Sequence, residues 1–78
     1  MMELEIITFG KIAEVIDNQR LQVTNLSTTD ELKLYLEKSF PLLSKMNYKL
    51  AINKNIVQEN SDLKNNDIVA IMPPFSGG

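Results

Sequence analysis

The sequence of 78 residues contains no cysteine, no histidine and no tryptophan. It therefore lacks a thiol nucleophile, the most frequent general base and the usual ligands of transition metals. No glycine-rich phosphate loop is present either. The remaining hydroxyl, lysine and carboxylate side chains show no spacing typical of catalysis. We expect no metal site and no complete active site in this chain, so that any chemistry it joins is supplied by another protein.

Basic clusters and long apolar runs are missing as well. Ten acidic and eight basic residues give a net charge of -2 and a pI near 4.9, whereas nucleic acid phosphates require a patch of Lys and Arg. No apolar run approaches the roughly 18 residues of a membrane span, and the acidic start lacks the basic lead of a signal peptide. We expect no nucleic acid partner, no membrane association and a cytoplasmic location, which the lack of cysteine fits.

The composition indicates one small folded domain. Apolar residues make up 44% and charged residues 23% of the chain, which is too hydrophobic for a disordered segment. A chain of this length has room for one core. We expect residues 1–72 to form the domain and residues 73–78 to form an extended, flexible tail.

The first third of the chain predicts a β-hairpin. Residues 3–9 alternate between apolar and polar and are rich in β-branched side chains, and Gly10 ends this strand. Residues 11–16 have apolar side chains at helical spacing and predict a short turn or helix. Residues 20–26 alternate again and predict a second, antiparallel strand. The residues expected to face inward are Leu4, Ile6, Thr8, Leu21 and Val23.

A helix is predicted next. Residues 27–31 offer a capping hydroxyl followed three residues later by an acid, which is typical of a helix N-terminus. Pro41 marks the end of the helix. The predicted buried face consists of Leu32, Tyr35, Leu36 and Phe40. The side chains expected to face water are Lys33, Glu37 and Lys38.

The second half of the chain predicts further strands. Residues 49–53 and 56–57 flank a turn-forming segment and indicate a tight hairpin. Leu63 is the apolar anchor of the loop that follows, and Asp67 is placed to cap or turn the backbone before the last strand. Residues 67–72 form an almost continuous apolar run, which predicts a central strand buried on both faces. The order of elements favours an α+β fold, with a mixed sheet of four to five strands on one main helix.

The chain then closes on Pro-Pro-Phe-Ser-Gly-Gly. Pro73 and Pro74 have a fixed φ and no backbone donor, so they stop strand pairing. Gly77 and Gly78 have no Cβ and can pass through a slot too narrow for other residues. A Gly-Gly end alone is most often a disordered terminus or a cloning scar, but Phe75 and the two prolines are not typical of a linker. The lead-in favours a functional tail.

The sequence resembles the β-grasp sulfur carriers, most closely the MoaD-type small subunit of molybdopterin synthase. The resemblance covers the whole chain. Residues 63–70 are similar to the family stretch Leu-x-(Asp/Asn)-(Gly/Asn)-Asp-x-Val-Ala, and residues 73–78 are similar to its Pro-Pro-x-(Ser/Thr)-Gly-Gly end. The resemblance implies a ubiquitin-like β-grasp fold.

It also implies a reaction at the Gly78 carboxylate. An E1-like adenylyltransferase would adenylate this group with ATP, and a sulfur donor system would convert it to a thiocarboxylate. The tail would then enter the large subunit of molybdopterin synthase, where the sulfur passes to a precursor pterin during molybdenum cofactor biosynthesis. The complex would be a heterotetramer, a dimer of heterodimers. No cofactor is expected on this chain itself, because the activating partner consumes the ATP.

Several residues are assigned to partner binding by this resemblance. They are Gly77, Ser76, Phe75, Pro74 and Phe9. Phe75 has two open interpretations, as an anchor in an apolar socket of the partner or as a side chain folded back on the sheet. Phe9 either faces the partner or belongs to the core. Ala13 stands where the family often has Arg, so the contact of that Arg is not carried over.

Three other functions stay open. A sulfur carrier of a thiamine or thiolation pathway has the same Gly-Gly end but commonly lacks the Pro-Pro lead-in. A ubiquitin-like modifier would join its activated glycine to lysines. A β-grasp interaction module would bind through its sheet and leave the tail idle.

Overall fold

A computed structural model describes residues 2–74 of the chain. Within this range a mixed sheet of five strands lies against one α-helix, which confirms the predicted α+β architecture. The strands are β1 (Met2–Thr8), β2 (Gln19–Val23), β3 (Lys49–Ile52), β4 (Asn55–Ile56) and β5 (Asp67–Met72), and the helix is α1 (Thr29–Ser39). Two 3₁₀ turns complete this described part, at Gly10–Glu14 and Pro41–Lys45.

The last strand lies at the centre of the sheet. The strand order is β2-β1-β5-β3-β4, with β5 parallel to β1 and antiparallel to β3. β1 and β2 form the predicted antiparallel hairpin. The central position predicted for β5 is confirmed, and the chain therefore leaves the sheet from its middle.

The core lies between the sheet and α1. Strand pairing sets Ile6 beside Val69 and Leu50 beside Ile71, all on the face that the helix covers. Burying one such aliphatic side chain contributes about 1.5–3 kcal/mol. The core cluster consists of Leu4, Ile6, Ile12, Ile16, Val23, Leu32, Leu36, Leu43, Leu50, Leu63, Val69 and Ile71. Leu63 belongs to this cluster, which confirms it as the anchor of its loop.

The first hairpin largely follows its predicted pattern. Leu4, Ile6, Thr8 and Val23 are buried, while Leu21 is half-buried. The predicted strand over residues 20–26 ends earlier, at Val23. The reason is local, since Asn25 has a left-handed φ of +57°, which breaks the extended backbone.

The predicted helix N-terminus is confirmed. The Thr28 hydroxyl accepts a hydrogen bond from the Glu31 backbone N–H at 3.3 Å. The Glu31 carboxylate accepts in return from the backbone N–H groups of Ser27 and Thr28, at 2.8 and 3.2 Å. This reciprocal capping box satisfies donors that the first helical turn leaves free.

The buried face of α1 differs from the prediction. Its buried residues are Thr29, Leu32 and Leu36. Tyr35 is exposed and Phe40 is half-buried, because the buried stripe runs along i, i+3 and i+7 and leaves Tyr35 at its edge. Lys33 and Glu37 are half-buried instead of facing water. Glu37 accepts a hydrogen bond from the Tyr48 hydroxyl, which ties α1 to the segment before β3.

The β3–β4 hairpin has the predicted tight turn. Asn53 and Lys54 have φ values of +49° and +76°, the conformation that two-residue hairpin loops favour. The Asn53 backbone N–H and side-chain oxygen bond the Ile68 backbone at 2.8 and 2.9 Å. Asp67 accepts from the Asn53 amide at 2.9 Å and from the Lys64 N–H at 2.8 Å. Asp67 therefore closes the turn before β5, as predicted.

The capping box makes the stability of the domain depend on pH. Hydrogen bonds from Ser27, and more weakly from Thr28, hold the pKa of Glu31 below its ordinary value of 4.5. The native state therefore favours the ionised form, and this contribution to stability is complete above pH 4.5 and is lost as the pH falls through the lowered pKa.

Between pH 6 and pH 3 we expect the wild type to lose more unfolding free energy than Glu31→Gln, measured by urea unfolding. Glu14→Gln, whose carboxylate makes no hydrogen bond or ion pair within residues 2–74, should follow the wild type; equal pH profiles of all three proteins would contradict this account.

Candidate functional site

Within residues 2–74, no element covers the face of the sheet opposite α1. In β5 the buried Val69 and Ile71 alternate with Ile68, which is 40% exposed. The prediction that β5 is buried on both faces is therefore wrong. Within residues 2–74 the helix and the 3₁₀ turns cover one face only, and the apolar run of β5 is continuous because its other face is apolar too.

Apolar side chains gather on this open face. We call them the outer apolar surface: Ile7, Phe9, Ala51, Ile56, Ile68, Ala70 and Met72, which line a shallow depression of about 470 Å³ with Asn53 and Lys54 at its rim. Phe9, Ile56 and Ile68 are 49%, 42% and 40% exposed. Contiguous exposed apolar surface of this kind on a small protein is typical of a site that binds another molecule.

The other half of the same face is charged. Arg20 on β2 lies 3.8 Å from the Glu3 carboxylate and 3.6 Å from the Glu5 carboxylate on β1. It also donates to the Asn66 side chain at 3.1 Å. Such exposed pairs contribute only about 0–1 kcal/mol to stability. Their position matters more, because they border the outer apolar surface on one side and restrict it to the β1, β5, β3 and β4 region.

The start of the tail lies at the edge of the outer apolar surface. Met72 is the last residue of β5 and belongs to that surface. Pro73 and Pro74 follow it outside the strand and are exposed. A molecule bound on the outer apolar surface would therefore meet the chain just before its Gly-Gly end.

The structure places the predicted site residues as follows. Phe9 is exposed, so the interpretation as a core residue is wrong, while its role towards a partner stays a prediction. Pro74 is exposed and lies two residues beyond the end of β5. The other predicted site residues, Phe75, Ser76, Gly77 and Gly78, lie outside the described residues.

Sequence reasoning missed most of the outer apolar surface. Ile7, Ile56, Ile68 and Met72 were not singled out, although each is apolar and lies one position away from a core residue or on the short β4 strand. The available signal was size, since a chain with one predicted helix can cover only one face of its sheet. Apolar residues on both faces then indicate a binding surface.

Residues 2–74 contain neither a metal-binding group of acidic side chains nor a membrane-spanning helix. Among residues 2–74 no group of three or more acidic side chains is placed to hold a metal ion. None of the helices in this described range has the length and apolar character needed to cross a bilayer.

The fold is similar to that of several solved structures. A putative molybdopterin converting factor subunit 1 from Pyrococcus furiosus superposes with a TM-score of 0.84 at 15% identity, covering 95% of this chain and 99% of that chain. Small archaeal modifier protein 1 from Haloferax volcanii superposes with a TM-score of 0.78 at 20% identity, covering 95% of this chain and 99% of that chain. A chain in the complex of subunits 1 and 2 of molybdopterin-converting factor from Helicobacter pylori superposes with a TM-score of 0.72 at 26% identity, covering 99% of this chain and 100% of that chain.

The sequence agrees with this likeness. A sequence model of the ThiS family matches residues 6–78, from the middle of β1 through the Gly-Gly end. The match includes the outer apolar surface and the tail that starts beside it. Because it takes in nearly the whole chain, and because the fold agrees, the chain belongs to the ThiS family of ubiquitin-like β-grasp domains.

Proposed function

We propose that the chain is the sulfur carrier subunit of a molybdopterin synthase, with Gly78 as the group that carries the sulfur. Family and fold place it among the ThiS/MoaD-like sulfur carriers and ubiquitin-like modifiers. The observation that carries the finer proposal is the Pro-Pro-Phe-Ser-Gly-Gly end of the sequence. Its first residue follows the central strand at the edge of an apolar face that residues 2–74 leave uncovered. The molybdopterin-converting factor subunits among the similar structures support this choice of pathway.

The chemistry begins with activation of the Gly78 carboxylate. A carboxylate is a poor acyl donor until one oxygen becomes part of a good leaving group. In the proposed step a separate adenylyltransferase joins it to the AMP part of ATP and releases pyrophosphate. A sulfur nucleophile from a donor system then attacks the acyl carbon and expels AMP, which leaves a thiocarboxylate. The carrier needs no cysteine or histidine for these steps, because both reactions take place in partner active sites.

The outer apolar surface is the proposed contact with the large subunit. The Helicobacter pylori structure is a complex of subunits 1 and 2 of molybdopterin-converting factor, which supports a second subunit as the partner here. A partner seated on Phe9, Ile56 and Met72 would remove apolar side chains from water. The same docking would bring the tail into reach of the partner, since β5 leads from Met72 straight into Pro73.

A modifier function is the second candidate. The likeness to small archaeal modifier protein 1 favours it, as does the shared need for an activated C-terminal glycine. The two functions differ in the final product. A carrier is released with its thiocarboxylate and returns to a carboxylate after transfer, whereas a modifier remains joined to a lysine through an isopeptide bond. Conjugates of higher mass on target proteins would identify a modifier.

The carrier proposal predicts a change of mass at Gly78. After incubation with the cognate activating enzyme, ATP and a sulfur donor, intact mass spectrometry should detect a gain of about 16 Da, one oxygen replaced by sulfur. Deleting Gly78, or adding one residue after it, should abolish the gain and leave the thermal unfolding midpoint unchanged. Ser76→Thr, which keeps the family motif, is the matched control and should load normally. An unchanged mass of the wild type with an active cognate enzyme would count against the carrier function.

Gly77 tests whether the tail must enter a narrow slot. A β-branched side chain at this position should obstruct entry and stiffen the backbone. We expect Gly77→Val to reduce transfer of sulfur by the large subunit at least about ten-fold, with Gly77→Ala intermediate and neither variant changing domain stability. Single-turnover transfer assays with preloaded carrier measure this. Equal transfer rates for all three proteins would show that the tail does not need to pass through a narrow slot.

The outer apolar surface predicts a selective loss of binding. Ile56→Asp places a charge on the surface at a residue that is already 42% exposed. We expect the affinity for the large subunit to fall at least about ten-fold by calorimetry, while unfolding free energy changes by about 0.5 kcal/mol or less. Leu42→Asp is the control, because Leu42 is 61% exposed but lies on the second 3₁₀ turn, outside the surface. A similar loss in both variants would mean that docking is not located on this face.

A further inference from the structure

The turn after β1 is in direct contact with the start of the tail. Gly10 has a φ of +58°, and a Cβ built on it would lie 3.1 Å from Cγ and 3.5 Å from Cδ of Pro73. The first distance is shorter than ordinary van der Waals contact. Gly10 therefore adopts a left-handed backbone and lets the Pro73 ring lie against that backbone. A larger residue would be strained in both respects.

The Gly10 turn is fixed on its body side. The Phe9 N–H donates to the Ile71 carbonyl at 3.1 Å, and the Ile12 N–H donates to the Phe9 carbonyl at 3.2 Å. Ile12 is fully buried in the core. Just before the turn, the Thr8 hydroxyl donates to the Ile16 carbonyl at 2.8 Å. If a side chain were added at Gly10, these bonds would resist movement of the turn, and Pro73 would be the part that shifts.

A shift at Pro73 would be carried along the tail. Pro73 and Pro74 have φ locked near -65°, so the direction of the chain at this point is transmitted instead of being absorbed by free rotation. Pro73 and Pro74 together span about 7 Å, so that a rotation of about 10° at Pro73 displaces the far end of Pro74 by about 1 Å. Group transfer is sensitive to displacements of about 1 Å.

We propose that Gly10 is a positioning residue for the tail: its turn is the seat of Pro73 and sets the direction in which the chain leaves β5. The activity readout of this inference rests on the proposed function, while its structural readout does not. The residue acts through Pro73 and touches no reacting atom.

A double-mutant cycle separates this contact from backbone strain. Gly10→Asn adds a Cβ but tolerates positive φ better than other residues do, and Pro73→Ala removes the ring atoms that the Cβ would meet. With the cognate activating enzyme we expect Gly10→Asn to lower kcat/KM for loading of Gly78 at least about ten-fold. In the Pro73→Ala background the same substitution should change nothing. Asn25→Ala, at a φ of +57° between β2 and α1, is the strain control and should lower the unfolding midpoint without affecting loading.

The direction of the tail can also be measured without any enzyme. Because the chain has no cysteine, Ser76→Cys provides a unique position for a spin label. Paramagnetic broadening of the amide signals of the body then reports where the tail points. We expect Gly10→Asn to alter the broadening pattern. Pro73→Ala alone should spread the broadening over more amide signals, because it removes the ring that contacts Gly10. This second variant tests the contact even if Gly10→Asn folds poorly.

The outcomes are distinct. A loading defect and an altered pattern that both vanish in the Pro73→Ala background support the positioning role. A wild-type pattern in Gly10→Asn, or an equal loading defect with and without the Pro73 ring, overturns it. If the wild type is not loaded at all, the proposed function fails, and the broadening pattern alone decides the role of Gly10.

Discussion

The pairing of β5 with β1 is the interaction on which the rest of the structure depends. Ile6 lies beside Val69 and Thr8 beside Ile71, and the Phe9 N–H extends the pairing by one further bond to the Ile71 carbonyl. This parallel pair joins the two ends of the domain at the centre of the sheet, so the core, the Gly10 turn and the exit of the tail are all fixed by the same register. A slip of one residue would turn the core side chains of β5 towards water.

Coverage of the sheet on one side is the second constraint. With α1 over one face, the apolar residues of the other face have no partner within residues 2–74. Burial of these residues does not stabilise the fold, so the free energy of removing them from water is available to a binding partner. The charged group of Arg20, Glu3 and Glu5 borders this surface, and the last residue of β5 belongs to it. The proposed docking surface and the start of the chain end therefore lie side by side.

Stability and function are largely separated in this chain. The capping box of α1 and the Asp67 turn hold the body together by local hydrogen bonds. The proposed reaction uses only the terminal carboxylate and the catalysts of partner proteins. Gly10 is the exception that we infer, because it belongs to the folded body and yet influences the tail through Pro73. In the proposed function, the folded body in this way controls where the Gly78 carboxylate is presented.

Local chemistry determined much of this protein from the sequence alone. The sequence predicted a capped helix N-terminus within residues 27–31, the turn at Asn53 and Lys54, the inward face of β1 and the anchor Leu63. These features depend largely on neighbouring residues. The Gly-Gly end that indicates the function is likewise a feature of sequence. The exposure of Tyr35 and Ile68, the outer apolar surface and the contact of Gly10 with Pro73 were decided only by the tertiary structure. The physical reason is that burial and contact depend on which elements pack together, and apolar periodicity cannot tell a side chain covered by a helix from one left open for a partner.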